Sequence, residues 1–164
     1  MDLATFNAAP ERDVTAQLLA CCDVSTWARE VVAARPYATV DDLLATAARA
    51  TGRLGPGDVD QALAAHPRIG ERAAGRTREA AWSRQEQSGV QTGERTQAAL
   101  AEGNRAYEQR FGRVFLICAT GLDAGQILSA LRRRLGNDDA TEAAEVLDEL
   151  GKIALVRLRK VVEP

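Results

Sequence analysis

The chain has 164 residues, enough for one domain with a real core, and 46% of them are hydrophobic, which excludes a disordered chain. Net charge is −2 with acids and bases interleaved, so the basic footprint of a nucleic-acid binder is missing. Alanine and leucine dominate the apolar set and aromatics reach only 4%, a balance that favours helices over sheets.

In chain order, Leu3 to Phe6 reads as a short lead-in, with Asn7 and Pro10 marking a helix start. Val14, Leu18 and Leu19 give helical spacing up to Cys21-Cys22. Ser25 is the expected cap of a helix with Trp27, Val31 and Val32, broken before Arg35-Pro36 because proline disfavours helical geometry in the residue ahead of it. Thr39 with Asp42 resembles a capping pair for a helix that turns Val40, Leu43, Leu44 and Ala47 inward and stops at Gly52. Gly55-Pro56-Gly57 reads as a turn, and Asp58 with Gln61 as a capping box for a short helix through Ala65.

His66-Pro67 follows that helix, and residues 67–75, with two glycines and a proline, read as loop. The next helix holds Ala80, Ala81, Trp82, Ser83, Glu86 and Gln87 and ends at Gly89. Thr92 is the expected cap of a long helix with Leu100, Tyr107 and Phe111, closed by Gly112. Val114 to Ala119 is rich in bulky apolar residues yet short for a helix, so it reads as a buried connector or a helix start. Asp123 with Gln126 opens a helix through Leu135, and the run Arg132-Arg133-Arg134 in it reads as a solvated face. Asp139 with Glu142 opens the last helix, whose apolar stripe runs from Ala143 to Val161. The expectation is an all-α single domain spanning 1–164, with about eight helices.

Three cysteines, two of them adjacent, do not make a disulfide framework, and none has a partner at zinc-ligand spacing. Buried free thiols in a reducing compartment are the expectation. The start lacks a signal-peptide pattern, no apolar stretch approaches a membrane span, and Val162-Glu163-Pro164 carries no organelle address. We therefore expect a cytoplasmic protein.

Chemistry centres on His66, the only histidine, because an imidazole is the side chain suited to proton transfer near neutral pH. On a helix, Ser83, Glu86 and Gln87 share one face at spacings of three and four, able to orient a small polar molecule. Arg157 sits in an apolar stretch, either snorkelling to solvent or flooring a pocket where its planar fork grips a carboxylate. Nucleotide-binding loops and His-Glu-x-x-His are missing, so the expected chemistry uses acid–base groups and fixed charges, with no metal and no cofactor.

Read together, Phe6-Asn7, Trp27-Ala28, Ala34-Arg35-Pro36-Tyr37, Ala65-His66-Pro67-Arg68-Ile69-Gly70, Ser83-x-x-Glu86-Gln87, Asn104-x-x-Tyr107-x-x-x-Phe111-Gly112, Phe115-Leu116-Ile117-Cys118 and Lys152-Ile153-Ala154 with Arg157-Leu158 resemble the 2-oxo-4-hydroxy-4-carboxy-5-ureidoimidazoline (OHCU) decarboxylases of urate degradation. The resemblance covers nearly the whole chain. It implies an all-helical, cofactor-free homodimer that converts the ureidoimidazoline to (S)-allantoin and CO2. It implies that His66 and Glu86 are catalytic and that Pro67, Ser83 and Gln87 line the pocket. Phe115, Leu116 and Ile117 would offer backbone groups to the substrate, and Arg157 would grip it. Gly103, before Asn104, departs from the apolar residue expected there, which touches packing more than chemistry. Two rivals are a helical interaction module without catalysis and a hydrolase that opens a ureide ring. Only the decarboxylase releases CO2.

Overall fold

The structure is a computed structural model and describes residues 1–71, 78–90 and 93–163. Among these residues the chain forms nine α-helices, one 3-10 turn at Ser88–Val90 and no strand, so the all-α expectation holds. The helices are α1 (Leu3–Ala8), α2 (Glu11–Cys21), α3 (Ser25–Ala33), α4 (Val40–Thr51), α5 (Pro56–Ala64), α6 (Arg78–Glu86), α7 (Glu94–Phe111), α8 (Ala124–Arg134) and α9 (Asp139–Val162). They divide into two compact units, Met1–Ala62 with Leu150–Pro164, and Leu63–Glu149.

In the first unit, the expected lead-in is itself a helix, α1, capped by Asp2, whose Oδ1 accepts from the Thr5 amide at 2.8 Å. Asn7 and Tyr37 exchange two hydrogen bonds of 2.9 Å, and Arg35 Nη1 donates to the Phe6 and Ala9 carbonyls at 2.9 Å each. Two of the sequence motifs thus bind each other. Trp27 is 1% exposed and donates from Nε1 to the Ala47 carbonyl at 3.0 Å, the partner a buried indole needs.

Local readings fare unevenly in this unit. The Thr39–Asp42 capping box is present. Ser25, by contrast, is the first residue of α3; Val24 occupies the cap, with no side-chain bond. The Gly55-Pro56-Gly57 turn is instead the start of α5, with Pro56 at the first helical position, where a missing N–H is harmless. Asp58 reaches back to the Gly55 amide (3.1 Å), while Gln61 donates away to the Asp23 carbonyl (2.8 Å), so the two do not form a box.

In the second unit, Tyr107, Phe115, Ile117, Ile127 and Leu131 lead the core. α7 ends on Gly112 at φ +68°, a left-handed turn that favours glycine. Gly93 stands at its cap, and the expected cap Thr92 lies outside the described residues, as do 72–75 of the expected loop. The Asp123–Gln126 capping box is present. Asp138, rather than Asp139, takes the amide that opens α9, accepting from Thr141 at 2.7 Å.

The expected solvated arginine face fails at Arg134, which is 1% exposed and paired with the equally buried Glu142. The reason is periodic. Ala124, Ile127, Leu131 and Arg134 fall on one stripe of α8, and all are buried. Glu142 is therefore the partner of that arginine and not a cap.

Gly103 also acquires a reason. A Cβ there would fall well inside contact distance of Leu131 Cδ2, so α7 and α8 approach closely at a residue without a side chain.

Candidate active site

His66 follows the last turn of α5, its amide donating to the Leu63 carbonyl at 3.0 Å. The side chain is half-buried, and Nε2 itself is buried. Pro67 fixes the backbone at the next step.

The loop that follows is tied down by named side chains. Asn104, 5% exposed on α7, donates from Nδ2 to the Ile69 carbonyl at 2.8 Å. Gln87 Oε1 accepts from the Gly70 amide at 3.0 Å, and Gly70 takes φ +87°, a conformation that favours glycine. Arg68 pairs with Glu108, at 2.9 Å from Nη2 to Oε2. Charge-assisted pairing with Arg68 holds the Glu108 carboxyl below the usual carboxylate range. Gln87, expected to line a pocket, thus fastens the histidine loop to the end of α6.

Ser83 is buried, and Glu86 and Gln87 are half-buried. The Gln87 amide donates to the Ser83 carbonyl at 3.1 Å, continuing the helical turn past Glu86. Ser83, Glu86 and Gln87 share one face of that turn. Gly89 lets the following turn approach the loop before α8: a Cβ there would stand 2.6 Å from the Leu122 carbonyl oxygen.

Residues 114–119 are neither helix nor strand, so the connector reading holds and the helix start does not. Phe115, Leu116 and Ile117 are 1%, 3% and 8% exposed. Among the described residues, their N–H groups have no hydrogen-bond partner. Backbone donors without a protein partner are available to a ligand or to water. Cys118 marks the neighbourhood. Burial chiefly, then the charges of Glu149 and Glu86, push its thiol pKa up.

The second unit therefore carries His66, Pro67, Ser83, Glu86, Gln87 and Phe115 to Ile117. Arg157 belongs to the first unit, on α9, and is 3% exposed, so the snorkelling reading is set aside. Its charge opposes the upward shift of the Cys22 thiol, which burial pushes to about 12. Arg159, two residues on, is a solvated residue bonded to Glu163 at 3.0 Å.

A cavity of about 490 Å³ lined by Arg68, Gly70, Gln97, Asn104 and Arg105, among others, backs the histidine loop. His66, Ser83 and Glu86 do not line it. Sequence reasoning placed Asn104 in a motif without a role, read Arg134 as solvated and Glu142 as a cap, and did not single out Glu149. The stripe on α8 is the signal that would have found Arg134.

Comparison with known proteins gives the family. A family model described as OHCU decarboxylase matches residues 7–159. The chain is 30% identical over 136 residues to the 2-oxo-4-hydroxy-4-carboxy-5-ureidoimidazoline decarboxylase of Haloferax volcanii, covering 82% of this chain and 80% of that one. It is 32% identical over 147 residues to the protein of the same name from Amia calva, with coverages of 83% and 79%. Its fold matches the crystal structure of an OHCU decarboxylase in the presence of (S)-allantoin, with TM-score 0.77, 26% identity, and 95% and 100% of the two chains covered. The chain belongs to the OHCU decarboxylase family.

Proposed function

We propose that the protein is a carboxy-lyase of urate degradation that converts 2-oxo-4-hydroxy-4-carboxy-5-ureidoimidazoline to (S)-allantoin and CO2. The observation that carries the proposal is the family match over residues 7–159, which takes in every candidate site residue.

The chemistry needs little beyond placement. Breaking the bond to the carboxylate pushes its electron pair into a double bond between the two ring carbons, and the ring imine nitrogen takes up that charge and is protonated. The 4-hydroxyl becomes a carbonyl as its proton leaves, and a proton delivered to one face of the neighbouring carbon sets the (S) centre. His66 and Glu86 hold the 4-hydroxyl and the leaving carboxylate, and one of them moves the hydroxyl proton; such help is worth roughly 10²–10⁴-fold. Ser83, Gln87 and Pro67 shape the wall around the ureido arm. The amides of Phe115, Leu116 and Ile117 stabilise developing negative charge, each well-aimed donor contributing about 3 kcal/mol.

Arg157 grips an anionic or carbonyl oxygen of the substrate with its planar fork. Its burial supports this role over that of Arg159, which lies in solvent. No resident cofactor or metal enters the proposed reaction. The family resemblance supports a homodimer, and none of the described helices is long and apolar enough to cross a membrane.

The test supplies freshly made substrate, generated by urate oxidation and ring hydrolysis, and follows circular dichroism and CO2 together. Faster appearance of one allantoin enantiomer, with matching gas release, is the expected result. Racemic allantoin at the spontaneous rate would refute the proposal.

A further inference from the structure

The connector before α8 has no regular secondary structure to fix its backbone, yet side chains hold it at two points. Arg134 Nη1 donates to the Leu116 carbonyl at 2.7 Å, and the same guanidinium lies 4.6 Å from the centre of the Phe115 ring. Two residues on, the Cys118 amide donates to Glu149 Oε2 at 2.7 Å. Arg134 stands on α8 and Glu149 on α9, so both anchors come from helices. Arg134 is itself held by Glu142, at 2.9 Å from Nε to Oε1.

We propose that Arg134 and Glu149 are positioning residues: by committing the Leu116 carbonyl and the Cys118 amide, they fix the direction in which the remaining N–H groups of the connector meet the substrate. This deepens the decarboxylase reading and rests on it. Stability alone does not require this arrangement, since apolar residues of similar volume commonly replace a buried ion pair at little cost. What hydrogen bonds add is direction. Donors aimed at developing charge are sensitive to placement, and an error of about 1 Å can cost ~10²-fold in rate.

Glu149 gives the cleaner test, because Arg134 also balances a buried charge. Wild type, Glu149→Leu, Glu149→Gln and Glu149→Asp are compared by kcat and KM for CO2 release, and by the ¹H–¹⁵N amide response to added (S)-allantoin. Glu149→Leu should keep its helical circular dichroism and lose roughly 10²-fold in kcat/KM. Glu149→Gln, which keeps an acceptor oxygen, should restore most of that loss. Glu149→Asp, one methylene short of the Cys118 amide, should fall between them, and it carries the decision if the leucine variant does not fold. The Phe115 and Ile117 amides should respond to allantoin in wild type and lose that response in the variants that lose turnover.

Unchanged kcat/KM in folded Glu149→Leu or Glu149→Asp overturns the positioning role, as does an amide response that survives in them. A wild type that releases no CO2 defeats the decarboxylase reading itself, which separates the two failures.

Discussion

Replacing Glu142 with leucine, close in volume, removes the partner that makes a buried Arg134 tolerable. In the native protein the two side chains are 1% and 2% exposed. The Glu142 carboxylate accepts from Arg134 Nε at 2.9 Å, from the Tyr107 hydroxyl and from Asn137 Nδ2 at 2.9 Å. Burial, followed by the bond to Glu142, raises the Tyr107 pKa, so its hydroxyl stays a donor across cellular pH. In Glu142→Leu the guanidinium keeps the Leu116 carbonyl and a more distant Glu145, 3.7 Å from Nε. Breaking one side of a buried pair costs about 3–5 kcal/mol. At roughly 2–4 °C per kcal/mol for a chain of this size, Tm should fall by about 6–20 °C. Urea titration and thermal melts at neutral pH read both quantities. Arg134→Met combined with Glu142→Leu should recover most of the loss, because neither charge then remains buried. A single variant that loses less than ~1 kcal/mol, or a double variant no more stable than the single, refutes the reasoning.

His66→Asn should keep its melting curve and lose roughly 10²–10⁴-fold in kcat, measured by CO2 release; near-normal turnover removes the imidazole from the mechanism. Arg157→Lys should raise KM and lower kcat, since an ammonium cannot present two parallel donors, and unchanged constants would take Arg157 out of the site. Gly103→Ala gains helix propensity of about 1 kcal/mol but forces Leu131 aside, so the unfolding free energy from urea titration should fall by about 1 kcal/mol net; a rise would show that α7 and α8 do not approach closely there. Glu145, bonded chiefly to Arg133, has its carboxyl lowered from 4.5 to about 2. Its stabilisation is thus complete above about pH 4.5 and lost as pH falls toward 2, on the order of 1 kcal/mol once the exposure of Arg133 is allowed for. Acid unfolding of Glu145→Gln should be flatter over that interval, and an identical slope would remove the ion pair from the account.

Patterns that act within one turn were legible in the sequence; those needing a second element were not. The Thr39–Asp42 and Asp123–Gln126 boxes are local, and both form. α1 was missed because six residues leave too little periodicity, while its cap is a single Asp2. Gln61 and Glu142 sit where a capping box would use them, but their partners are Asp23 and Arg134, at 38 and 8 residues' remove. The candidate site divides in the same way. His66 and the Ser83, Glu86, Gln87 face could be read from residue type and spacing, whereas the tie from Gln87 to Gly70 and the Glu149 anchor depend on chain segments meeting in space.

These cases separate two uses of polar groups inside one unit. The core of apolar side chains around Tyr107, Ile127 and Leu131 supplies stability without specifying where any one backbone amide points. Asn104 on the Ile69 carbonyl, Gln87 on the Gly70 amide, Arg134 on the Leu116 carbonyl and Glu149 on the Cys118 amide each bind main chain in a stretch that lacks secondary structure. The first two hold the histidine loop, and the second two hold the connector. A reaction that needs only placement and a proton requires that its irregular segments be as fixed as its helices. Side chains from α7, α8 and α9, with Gln87 just past the end of α6, do this by hydrogen bonds, which give the direction that apolar packing alone does not.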